Sequence, residues 1–145
     1  MSEPILPPRT RRSLPMALLR ARETVMDEFR PMLDRHGVTE QQWRVVRVLA
    51  EAGQLDASEV AVRASILAPS LTRIIRNLVD RKLIRRKKDA ADGRRVILEI
   101  APAGAALIRR AMPESAAAYE RLDARFGAAR INKLLDMLDE ITNMN

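Results

Sequence analysis

The chain has 145 residues, one His, no Cys, 3% aromatic side chains and a formal charge of +7. That length is enough to bury one ordinary core, and the composition excludes disulfides, thiol chemistry, cysteine zinc sites and a metal site built from several histidines of one chain. No apolar run approaches the roughly 18 residues needed to span a bilayer, and Met1-Ser2-Glu3-Pro4 opens the chain with an acidic residue and proline, so a soluble cytoplasmic protein is expected.

Residues 1–12 contain Pro4, Pro7 and Pro8 and end in Arg9, Arg11 and Arg12. With little apolar surface they read as a flexible basic arm, either solvated or touching phosphate. From Ser13 to Asp34 the residues Leu14, Leu18, Val25, Phe29, Met32 and Leu33 recur at three- and four-residue steps, which predicts one long amphipathic helix with Pro15 in its first turn. Pro31 is the misfit, because it removes a backbone donor and bends the last turn. Thr39-Glu40-Gln41-Gln42 has the form of a capping box, and Trp43, Val46, Leu49 and Ala50 mark the buried face of the helix it opens, ending at Gly53. Asp56-Ala57-Ser58-Glu59 repeats the signal for a short helix with Val60, Ala61 and Ala64 inward.

Pro69 then starts the most periodic helix of the chain, since Leu71, Ile74, Ile75, Leu78 and Val79 fall on one face. The opposite face is Ser70, Thr72, Arg73, Arg76, Asn77 and Asp80. Two short strands are predicted over residues 83–87 and 96–100, joined by Asp89-Ala90-Ala91-Asp92-Gly93 as a turn. Pro102 starts another helix, interrupted by Pro113, and Gly127 divides it from a last one striped by Ile131, Leu134, Leu135, Leu138 and Ile141. The ends of the chain thus supply apolar-striped helices that the centre does not need, and a dimer would bury them.

The charge is not spread evenly along these elements. Between Ala68 and Arg95 there are ten basic residues against Asp80, Asp89 and Asp92, while the rest of the chain carries sixteen of each sign. This stretch therefore holds the whole excess, as a polyanion site requires. The expected fold class is mainly α with a small β-hairpin: a winged helix-turn-helix DNA-binding module over 39–100, flanked by dimerisation helices over 13–36 and 102–145. In that layout the first turns of the second helix approach base edges in the major groove. Ser70, Thr72, Arg73 and Arg76 lie on its outward arc, an Arg can donate two bonds to guanine, and Ala68 and Pro69 offer apolar surface to thymine methyls. In the hairpin, Asp92 is spaced to hold the Arg94 side chain extended toward the electronegative minor groove. Arg85, Arg86, Lys87, Lys88 and Arg95 are read as phosphate contacts that give affinity without sequence information.

The order helix, helix, helix pair, wing with Asp92-Gly93-Arg94-Arg95, then two helices resembles the MarR family of bacterial regulators from Leu14 onward. Ala17-Leu18-Leu19, Arg22-Glu23, Phe29-Arg30-Pro31, Arg35-His36, Thr39 to Val46 and Pro69-Ser70-Leu71-Thr72 are similar to its HpaR branch, which regulates homoprotocatechuate catabolism. Ala101 departs from the family, which usually has a threonine there to close the second wing strand and cap the next helix; weaker capping is expected. The resemblance implies a homodimer on a pseudo-palindromic double-stranded operator, usually repressing, with a small aromatic carboxylate as effector.

For that effector Arg22 is the candidate, because it interrupts the apolar stripe of the first helix and its guanidinium must find an anion, a dipole or water. Two readings fit: an ion pair with an acidic residue of a neighbouring helix or of the partner chain, or a carboxylate clamp for an aromatic acid. Trp43 and His36 flank the connector to the next helix, and Met16, Met26 and Met32 would shape an adaptable wall, although each of these residues also reads as ordinary core or surface. No glycine-rich phosphate loop, nucleophile elbow or metal cluster is present, so neither an enzyme nor a cofactor is expected. The competing expectation is a constitutive DNA-coating protein, which would need the basic block but not the Ser70 to Arg76 face.

Overall fold

The computed structural model describes residues 12–145. All but Arg12 of the arm read over 1–12 lies outside the described residues. The elements run α1 (Leu14–Met26), α2 (Arg30–Arg35), α3 (Glu40–Ala52), β1 (Gln54–Asp56), α4 (Ala57–Ala64), α5 (Ala68–Asp80), β2 (Ile84–Lys88), β3 (Val96–Ile100), α6 (Pro102–Phe126) and α7 (Ala128–Thr142).

The single helix expected over 13–34 is two helices. Pro31 is one of the first two residues of α2, and a helix running through it would set its ring against the Asp27 carbonyl. The chain instead makes tight bonds at the break, from the Glu28 amide to the Val25 carbonyl at 3.1 Å and from Phe29 to Met26 at 2.9 Å. Arg30 braces the break by pairing with both Glu23 and Asp27. Both capping boxes form as expected: Thr39 Oγ1 accepts from the Gln42 amide at 3.1 Å, and Asp56 Oδ1 from Glu59 at 2.8 Å. Each satisfies donors that a helix start leaves open.

Around α3 the core closes. Trp43, Val45, Val46 and Leu49 are buried there, against Val60 of α4, Leu71, Ile74, Ile75 and Leu78 of α5, Ile84 and Leu98 of the sheet, and Leu107 and Ala111 of α6. The expected hairpin gains a third strand, because β1 pairs with the far edge of β3 to give the antiparallel order β1-β3-β2. Three residues carry no readable alternation, so β1 was hidden behind the capping role of Asp56.

Pro113 does not interrupt α6, contrary to expectation. It is exposed, and the buried stripe Gly104, Leu107, Ala111, Ser115 and Ala118 continues on both sides of it. Tertiary packing therefore holds the helix across one missing bond. By contrast α1 and α7 bury no residue in the single chain, leaving Leu14, Leu18, Leu19, Leu134, Leu135 and Ile141 exposed. No helix among the described residues is long and apolar enough to cross a membrane.

Candidate nucleic-acid interface

The inward face of α5 fixes its outward one. Leu71, Ile74, Ile75 and Leu78 are anchored in the core, which leaves Thr72, Arg73 and Arg76 in solvent with Ser70 half-buried beside them. Thr72 Oγ1 donates back to the Ala68 carbonyl at 3.3 Å. The start of α5 has no side-chain cap, and Pro69 removes a donor there. Arg73 and Arg76 form no hydrogen bond or ion pair among the described residues. Asn77, by contrast, accepts from Gln42 Nε2 at 2.8 Å, and Gln42 Oε1 accepts from both the Thr39 amide and Arg81. The capping box of α3 thereby sets the angle of α5.

The wing sorts its cations by the two faces of the sheet. Arg85 and Lys87 share the outer face with Glu99, 3.7 and 3.4 Å away. Glu99 also accepts from Gln54 Nε2 at 2.8 Å, and chiefly that bond, then Lys87 and Arg85, holds its carboxyl below the ordinary carboxylate value. Arg86 and Lys88 alternate onto the other face, the one that carries Ile84 and Leu98 at its inner end, and are exposed and unpaired.

At the wing tip two expectations need correction. Asp92 does not grip the Arg94 guanidinium: its Oδ1 accepts from the Arg94 backbone amide at 3.0 Å, as Asp89 Oδ1 does from Ala91. At a two-residue spacing a short carboxylate reaches the backbone more readily than a long side chain turning back on itself. The Arg94 guanidinium itself has no partner among the described residues. Arg95, read as a phosphate contact, is directed into three carboxylates: Asp56 Oδ2 at 2.9 Å, Glu59 Oε1 at 2.9 Å and Asp89 Oδ2 at 3.5 Å.

The candidate effector residues are only partly brought together. Arg22 pairs with Glu40 in the first turn of α3, and with Glu23 at 3.6 Å, so the intrachain form of the ion-pair reading is the one adopted. Trp43 belongs to the core and Met26 packs on it, whereas Met16 is exposed. His36 is bonded through Nε2 to Glu114, which also accepts from Arg35 Nε at 2.8 Å. Arg44 was missed. It lies one turn beyond Glu40, its Nε is buried with no partner, and burial followed by the charge of Arg22 lowers its pKa. In sequence it reads as one more solvated cation of α3, and only its burial in the fold and the nearness of Arg22 distinguish it. Two open grooves, of about 580 Å³ between α5, β2 and α6 and about 620 Å³ beside α1, are lined by neither Arg22, His36 nor Trp43.

Comparison with known proteins accords with this geometry. The family profile described as MarR family matches residues 36–95. The homoprotocatechuate degradative operon repressor of Escherichia coli is 42% identical over 128 residues, covering 88% of this chain and 86% of that one. Among solved structures, NadR in complex with 4-hydroxyphenylacetate is 35% identical with a TM-score of 0.83, covering 99% of this chain and 100% of that one. The repressor CouR bound to a 23-mer DNA duplex is 26% identical with a TM-score of 0.85, covering 97% of this chain and 100% of that one. With a relative this similar over nearly its whole length, and with the helix pair and wing in place, the chain belongs to the MarR family of transcriptional regulators.

Proposed function

We propose that the protein is a homodimeric, sequence-specific regulator that represses an aromatic-compound catabolic operon and leaves its operator when a small aromatic acid binds. The observation that carries this reading is the division of cations: Arg73, Arg76, Arg86, Lys88 and Arg94 are exposed and unpaired among the described residues on α5 and the wing, whereas Arg85, Lys87 and Arg95 are committed to carboxylates. In this reading Arg73 and Arg76, with Ser70, Thr72, Ala68 and Pro69, face base edges in the major groove. Arg94 enters the minor groove beyond the wing tip, and Arg86 and Lys88 meet phosphate. The chain works by binding, not catalysis. Residues 39–100 form the DNA module, and 13–36 and 102–145 join the two protomers.

The names of the E. coli repressor and of the NadR complex favour a phenolic acid as the effector. Within this chain the buried Arg44 Nε has no partner among the described residues and feels the charge of Arg22, which itself pairs with Glu40 and Glu23. A ligand carboxylate would supply the partner that Arg44 lacks, with Trp43, His36, Met16 and Met26 as the surrounding wall once a partner chain closes it. The test is a gel-shift titration on a duplex selected by the protein from a random pool. Added 4-hydroxyphenylacetate is expected to weaken binding at least tenfold in wild type, and less than threefold in Arg22→Ala and Arg44→Ala. Equal weakening in all three removes these arginines from the effector site, and binding without sequence preference removes the regulator reading.

A further inference from the structure

Ten cations crowd the stretch 68–95, yet one of them is held by three carboxylates from three different places in the chain: Asp56 at the end of β1, Glu59 in the first turn of α4, and Asp89 at the root of the wing tip. Two of these anions belong to the helix-turn-helix rather than to the wing. From this geometry we infer that Arg95 is a positioning residue, a strut that docks the wing onto the start of α4 and so presents Arg94 and α5 to DNA as one rigid unit.

Three features of the cluster argue for this. Arg95 uses its fork fully, donating from Nε to Asp56 Oδ2 at 2.9 Å and from Nη2 to Glu59 Oε1 at 2.9 Å, a geometry that a lysine cannot reproduce. Its backbone is tied as well, because its carbonyl accepts from the Asp89 amide at 2.9 Å and its amide donates to the Asp92 carbonyl at 3.0 Å. The residue thus sits where the tip loop closes on itself, and a side-chain anchor there orients the whole tip. Asp56 and Glu59 are moreover the two members of the α4 capping box. The wing therefore reads the position of the helix start directly. The Asp56 carboxyl is held low, first by the Glu59 backbone amide and then by Arg95, so Asp56 meets Arg95 as a carboxylate at neutral pH.

The inference rests on the proposed DNA-binding role of the wing, and a strut and a phosphate contact predict opposite signs for one double variant. Asp56→Asn with Glu59→Gln keeps both halves of the capping box, since Asn caps as well as Asp and Gln serves at the third position. It removes two negative charges beside the DNA face and weakens the Arg95 bonds, because the charge-assisted form is about twice as strong as the neutral one. A strut predicts that affinity for the selected duplex falls three- to tenfold. A phosphate contact predicts that it rises, because Arg95 is released and repulsion is relieved. Unchanged or increased affinity overturns the inference.

Arg95→Ala is expected to lose at least tenfold while leaving the slope of log K against log salt as in wild type. A slope shallower by about one per protomer marks a lost phosphate contact and overturns it. In the free protein, amide exchange at Asp89 and Arg95 should quicken at least tenfold in both variants, with the melting temperature of the core unchanged. Exchange as slow as in wild type overturns the strut without reference to DNA. Sequence-specific binding by wild type, measured alongside, is the separate control on the regulator reading.

Discussion

Arg73 carries the sharpest expectation at the level of single residues. It is exposed near the start of α5, has no carboxylate to satisfy it among the described residues, and stands one helical turn from Arg76, which is likewise unpaired among them. A guanidinium in that position need break no ion pair to bind and offers two parallel donors to a guanine edge. Arg73→Ala is expected to cost about 1–3 kcal/mol of binding to the selected duplex, roughly 5- to 150-fold, with a much smaller loss on random DNA. Quantitative gel shifts on both duplexes check this, and equal losses would make Arg73 a phosphate contact. The site was legible in sequence up to this point because sign of charge and helical face are both written in the order of residues. What each cation is paired with is not. Arg94 and Arg95 are neighbours in the chain, yet one is unpaired and the other is held by carboxylates 36 and 39 positions away. Arg44 escaped for the same reason, since its burial and the nearby charge of Arg22, 22 positions away, depend on the fold and not on its neighbours in sequence.

Among the elements, those with several turns, a cap or a hairpin turn were readable, whereas the effects of Pro31 and Pro113 and the three-residue β1 were not. The α5 stripe and the two capping boxes stand where the sequence put them. Pro31 and Pro113 have opposite outcomes although each threatens one backbone bond: the first begins a helix, and the second is carried by a buried stripe on both sides. Such outcomes depend on what the helix packs against. The junction of sheet and α6 gives a direct test. A Cβ at Gly104 would lie 2.1 Å from the Leu83 carbonyl oxygen and 2.8 Å from Ile100 Cγ1, so α6 must move away from the strand to admit it. Because the obstacle is backbone, Gly104→Ala should destabilise by about 1–3 kcal/mol or more, as overpacking does. Gly93 at the wing tip meets nothing within 4 Å and has no left-handed φ, so Gly93→Ala should stay within about 0.5 kcal/mol of wild type. Urea melts of the two variants provide the comparison, and equal stabilities would mean that the α6 contact is looser than described.

For the whole molecule, the unsettled energy lies at its two ends. Neither α1 nor α7 has a fully buried residue in the single chain, and Leu14, Leu18 and Leu19 on one and Leu134, Leu135 and Ile141 on the other face solvent. Apolar surface of that kind has a free energy of transfer of about 25 cal/mol per Å² once covered. In the proposed dimer a second copy of the same chain would cover both helices at once, and would also set two α5 helices facing successive major grooves, about 10 bp apart. Replacing Leu134 and Leu135 together with Glu puts four charges into each such interface and should leave a folded monomer, because neither side chain belongs to the core. Each monomer keeps one complete α5 and wing, so its contacts with a half-site persist. What disappears is the linkage that makes the second half-site engagement intramolecular, a gain on the order of 10²- to 10⁴-fold. Sedimentation should therefore show the monomer mass, and affinity for the full selected duplex should fall by that factor while affinity for an isolated half-site is retained. If the variant sediments as a dimer, the interface lies elsewhere; if it is monomeric but binds the full duplex as wild type does, the two recognition helices do not act as a pair.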